Sequence, residues 1–138
     1  MLRSSLQSIL LVLLFVGVGS CKKDSSPRQL PNEIKNGNWI VSSYIDNGVN
    51  ETNHFTGYAF TFTDPSTVTA QNGTSTVTGT WTAGKDDSHE KLVLLFTTPP
   101  FTELNEDWRA LEISSTRLMF SHVSGGSGVA DSLTFQRQ

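Results

Sequence analysis

From residue 37 onward the chain is written in twos: short runs in which apolar and polar residues alternate, separated by glycine, proline, asparagine and aspartate, with no window that sustains a helical period. The first run is Gly37-Asn38-Trp39-Ile40-Val41-Ser42-Ser43-Tyr44. Strict alternation puts Trp39, Val41, Ser43 and Ile45 on one face and Ile40, Ser42 and Tyr44 on the other, until Asp46-Asn47-Gly48 breaks the strand. A second strand spans His54 to Thr63, with Tyr58, Phe60 and Phe62 on one side, and stops at Asp64-Pro65. A third, Thr67 to Ala70, meets Asn72-Gly73, a pair that favours a type I′ hairpin because both central residues need positive φ. The return strand, Thr74 to Thr82, places threonine at every second position against Val77, Gly79 and Trp81, the mark of a half-solvated antiparallel strand.

Gly84 to His89 reads as polar loop. Lys91 to Thr97 is a fifth strand, apolar on both faces and stopped by Pro99-Pro100. Trp108 to Ile113 and Arg117 to Val123 form the sixth and seventh, the glycine-rich 124–128 stretch a turn, and Val129 to Arg137 the eighth. Eight short strands joined by turns in about a hundred residues define an all-β domain, and an eight-stranded up-and-down antiparallel barrel suits them because closure leaves no edge. A two-sheet sandwich meets the same spacing.

The first 36 residues follow other rules. Arg3, the apolar run Leu6 to Val18 and the small pair Gly19-Ser20 have the order of a secretory signal, and the run is shorter than a membrane span needs. Residues 1–20 are therefore expected to be a signal peptide and 21–36, rich in charge, serine and proline, a flexible tether to the domain at 37–138. Cys21 is the sole cysteine, so no intramolecular disulfide can form. Val18-Gly19-Ser20-Cys21 resembles the lipobox of bacterial lipoproteins, although leucine is commoner at the first position and alanine or glycine at the third. The resemblance implies lipidation of Cys21, with acylation holding the mature protein on a membrane of the cell envelope; Lys22 after the cysteine leans towards the outer membrane.

With 10 Lys and Arg against 13 Asp and Glu, the formal charge is −3, and no basic stripe interleaved with aromatics is present. Nucleic-acid binding is disfavoured. Gly125-Gly126-Ser127-Gly128-Val129 lacks the second glycine of a nucleophile elbow and opens no helix. His54, His89 and His122 lack ligand spacing along the chain, and the acidic groups around His89 (Asp86, Asp87, Glu90) and before Trp108 (Glu103, Glu106, Asp107) lack the periodicity of a calcium loop. No catalytic residue, metal or cofactor is expected, and the protein is expected to be a non-catalytic monomer.

Gly37-x-Trp39, Phe60-Thr61-Phe62, Gly79-Thr80-Trp81, Trp108 and Leu133-Thr134-Phe135 together resemble the lipocalin-like domains of small lipoproteins from Gram-negative bacteria. The resemblance runs from Gly37 to the end and implies that Trp39 closes one end of the barrel under Arg137, a cation–π contact worth about 0.5 to 2 kcal/mol. The chain lacks the length and C-terminal helix of larger lipocalins. Trp39, Phe60, Phe62, Trp81, Phe96, Phe120 and Phe135 can all point inward, which favours a mostly plugged interior. Tyr58, Trp81 and Trp108 join apolar area to a hydrogen-bonding tip and are the expected lining of a shallow pocket, with simple core membership as the alternative. Two functions stay open: binding of a small apolar ligand, which needs a cavity of about 300 Å³, and interaction with an envelope protein by a plugged barrel.

Overall fold

The computed structural model describes residues 27–123, 125–126 and 128–138. The signal peptide at 1–20, Cys21 and the start of the tether lie outside the described residues, as do two positions of the glycine-rich turn. The strands are β1 (Asn38–Asp46), β2 (Val49–Asn50), β3 (Ala59–Thr63), β4 (Thr67–Asn72), β5 (Ser75–Asp86), β6 (His89–Leu95), β7 (Asp107–Ile113), β8 (Arg117–Val123) and β9 (Ala130–Arg137). All neighbours are antiparallel, β3 through β9 pair in chain order, and β1 pairs with both β3 and β9. The result is a closed up-and-down barrel of eight strands, with β2 a two-residue hairpin partner of β1. The sandwich alternative falls, because the β1–β9 ladder from Trp39↔Arg137 to Ile45↔Ser132 joins the first strand to the last.

Two β-bulges change which side chains reach the core. In β1 the register passes from Val41↔Phe135 to Ser43↔Thr134, skipping Ser42. One extra residue reverses the phase of everything after it, so Tyr44 turns inward and is buried with Trp39 and Val41, against strict alternation, which placed it on the outer face with Ile40. In β7 the register skips Leu111, which is left 61% exposed.

The turns also differ from expectation in detail. Asn72 pairs with Ser75, so the central residues of that hairpin are Gly73 and Thr74, and of the two only Gly73 has positive φ. The type I′ geometry is found instead at Asn47-Gly48 and Asp87-Ser88, where both residues are left-handed. The polar loop expected over 84–89 is mostly ladder: β5 runs to Asp86 and pairs Lys85 with Glu90 and Asp86 with His89. Beyond the core both faces of these strands meet water, so no hydrophobic alternation marks them.

The largest correction concerns the tether. Leu30–Ile34 is a short helix, α1, with Pro31 in its first turn and both Leu30 and Ile34 fully buried. Ile34 O accepts the Trp39 indole N–H at 2.8 Å and Glu90 Oε2 accepts the Leu30 amide at 2.7 Å. Two apolar residues four apart are too short a signal for a helical period, and only the open end of the barrel gives them something to cover. The opposite end is closed by two 3₁₀ turns, Thr52–Phe55 and Phe101–Leu104, which bury Phe55, Phe101 and Leu104.

Candidate functional site

The barrel axis is occupied by side chains. Trp39, Phe60, Phe62, Val68, Leu92, Leu94, Phe96, Trp108, Leu118, Phe120, Leu133 and Phe135 form one buried cluster with the caps at both ends. Its aromatic rings meet edge to face: Phe60–Phe135 at 5.3 Å, Phe62–Trp81 at 5.8 Å and Phe55–Phe101 at 5.6 Å between centroids. Gly79 belongs to this packing, since a Cβ there would lie 2.6 Å from both Leu95 O and Phe96 Cδ1.

The structure does not bring Tyr58, Trp81 and Trp108 together. Trp81 is buried at the α1 end, where its indole donates to Thr63 O at 3.0 Å. Trp108 is fully buried towards the other end and donates to Leu104 O at 3.0 Å. Tyr58, half-buried, stacks its ring edge-on against Phe101 at 4.9 Å. Trp81 and Trp108 are thus core towards opposite ends of the barrel and Tyr58 is rim. Among the described residues, three hollows open on the outside: one of about 280 Å³ touches Trp81 beside Lys35 and Asp64, one of about 290 Å³ lies between Arg28, His89 and Glu112, and one of about 330 Å³ is lined by Lys91, Asp107, Arg109 and His122.

Trp39 and Arg137 do meet. The guanidinium carbon lies 5.0 Å from the Trp39 ring centroid, and Nη2 is 3.9 Å from Glu33 Oε2. Nε and Nη2 have no hydrogen-bond partner among the described residues, so the guanidinium is held by the Trp39 ring face and the Glu33 carboxylate.

The feature with no counterpart in the sequence reading lies at the end away from α1. Glu51 precedes the 3₁₀ turn Thr52–Phe55, and the His54 amide donates to Glu51 O at 3.0 Å. In such a turn side chains three apart eclipse, so Glu51 and His54 project on one side. Across from them, the second turn offers Glu103, whose Oε2 lies 2.8 Å from His54 Nδ1. One ligand atom from each of the three lies within 4.8 Å of those of the other two. The hydrogen bond to Glu103 holds the His54 imidazole above its ordinary pKa. Both turns are tied to the barrel by Tyr44, whose amide donates to Thr52 Oγ1 at 2.8 Å and whose hydroxyl donates to Glu103 O at 2.9 Å. Burial, helped by Asp46 and Glu103, pushes the Tyr44 phenol far above its usual range, so it remains a donor.

The other histidines stand apart. His89 contacts Asp87 O and Arg109, and His122 packs edge-on against Trp108, 3.2 Å from Glu106. Glu51-x-x-His54 could have been read as a pair from the sequence; Glu103, 49 positions after His54, could not.

No protein-family model matches the chain, and no curated protein matches it in sequence. Among solved structures, the barrel is similar to a DUF4847 family protein from Bacteroides vulgatus ATCC 8482, with a TM-score of 0.56 over 80% of this chain and 98% of that one. At 20% identity the likeness is one of fold: a β-barrel of the same extent as that whole protein.

Proposed function

We propose that this protein is a lipid-anchored, lipocalin-like accessory module of the cell envelope that works by recognition at its outer surface and carries no catalytic machinery. The observation that carries this reading is the aromatic-packed interior. A calyx for a small apolar ligand needs on the order of 300 Å³ inside the barrel, whereas here aromatic side chains fill the axis and α1 and the two 3₁₀ turns cover its ends. An envelope protein is thus favoured over an apolar ligand as the partner.

Apolar groups on the outer wall support the same choice. Val93 and Leu95 point outward from β6, 42% and 57% exposed, beside the threonines of β5 through the pairs Thr82↔Val93 and Thr80↔Leu95. The membrane half of the proposal rests on Val18-Gly19-Ser20-Cys21, with Lys22 favouring the outer membrane. Stable anchorage takes two or more acyl chains, each methylene contributing about 0.8 kcal/mol. Fractionation of cells producing the full chain should find it with outer membranes, and Cys21→Ser should move it to the soluble fraction. Unchanged membrane retention of Cys21→Ser would sink the anchor.

A further inference from the structure

We propose that Glu51, His54 and Glu103 form a binding site for a divalent transition-metal ion of the zinc class, clasping the two 3₁₀ turns that close one end of the barrel. The ligand atoms already lie within 4.8 Å of one another. Metal–ligand distances of about 2.0 to 2.2 Å place the ligands of a tetrahedral zinc ion roughly 3.3 to 3.6 Å apart, so rotamer adjustments at the ends of two glutamates bring all three into range.

The donor set selects the metal. An imidazole nitrogen with two carboxylates suits zinc and its neighbours, whereas calcium takes six to eight oxygens and magnesium keeps most of its waters. The carriers of these donors are held in place independently of any ion. Phe55, Phe101 and Leu104 are buried, the Phe55 and Phe101 rings are in contact, and Tyr44 binds both turns. The side chains themselves reach the surface, His54 34% and Glu103 31% exposed, so an ion has a direct path in. Three protein ligands leave a fourth position facing solvent, open to water or to a donor from a partner. The ion would also offset the repulsion between Glu51 and Glu103, a charge balance that His54 supplies only when protonated.

The test is a zinc chloride titration of the tag-free domain from Pro27 to Gln138, followed by calorimetry and by the imidazole signals in two-dimensional NMR. The expected result is saturable binding of one ion, with the His54 ring signals shifting while those of His89 and His122 hold. His54→Ala and Glu103→Gln, their folding verified by circular dichroism, should each weaken binding by about tenfold or more; His89→Ala should not. Calcium and magnesium should leave the His54 signals in place. Absence of saturable binding in the folded wild type, or zinc affinity undiminished in a folded His54→Ala, Glu103→Gln double variant, would overturn the site.

Discussion

Gly79 shows how one residue without a side chain sets the packing around it. It sits on β5 directly under Phe96, with a Cβ position 2.6 Å from that ring and from Leu95 O. Ring and backbone carbonyl cannot both retreat, since Phe96 is buried and its amide accepts no slack: it donates to Asn105 Oδ1 at 2.6 Å. Overpacking of this kind costs about 1 to 3 kcal/mol, so Gly79→Ala should lower the thermal midpoint by several degrees. A melting curve superimposable on wild type would mean that the close approach is absent. At the barrel rim, Lys91 bridges Asp86 at 2.7 Å and Asp107 at 2.9 Å. Its hydrogen bond holds the Asp86 carboxyl below the ordinary carboxylate value, while the two acids raise Lys91 to about 12. A depressed folded pKa adds stability above the unfolded value of about 3.9 and loses it as pH falls through the folded one. Lys91→Met should therefore raise the Asp86 midpoint in a carboxyl NMR titration, and the two proteins should differ in stability above about pH 4 and converge in acid. Coincident Asp86 midpoints would refute the bridge.

Among elements, α1 is the informative one. Its five residues would not form a stable helix alone, because nucleation is costly and short helices rely on tertiary packing. It persists because Leu30 and Ile34 cover the end of the core and Ile34 O satisfies the Trp39 indole. Removing a fully buried leucine or isoleucine side chain costs about 2 to 5 kcal/mol. A chain beginning at Gly37 should accordingly melt far below one beginning at Pro27, read by circular dichroism. Equal midpoints would restore the view that everything before Gly37 is tether. The bulges in β1 and β7 act at the same scale, since each lets one strand show the core a different set of side chains on either side of a single residue.

For the molecule as a whole, closure of β1 on β9 is what turns eight marginal strands into a stable body, because the first and last strands pair with each other instead of standing as open edges. Among the described residues, the same closure encloses a cluster of aromatic rings from one end of the barrel to the other, in contrast to barrels built as containers. A fatty acid or an environment-sensitive apolar dye should show no saturable one-to-one binding to the folded domain. Tight stoichiometric binding quenched by Phe120→Trp, a substitution on the axis, would return the interior to consideration.

Much of this was legible along the chain. Period-two alternation is a local property, carried by neighbours two residues apart, and it was enough to place seven of the ring-bearing core positions, the threonine face of β5, and β7, β8 and β9 within a residue or so of their ends. What alternation cannot carry is anything set by contacts between distant residues. Whether the strands close or split into two sheets depends on the β1–β9 ladder; whether Tyr44 faces in depends on one skipped residue; whether Leu30 and Ile34 are linker or lid depends on the barrel end they meet. The grouping of Glu51 and His54 with Glu103 belongs to that second kind, since it exists only once the loop between β6 and β7 folds over the turn after β2 and the two are pinned to the same tyrosine.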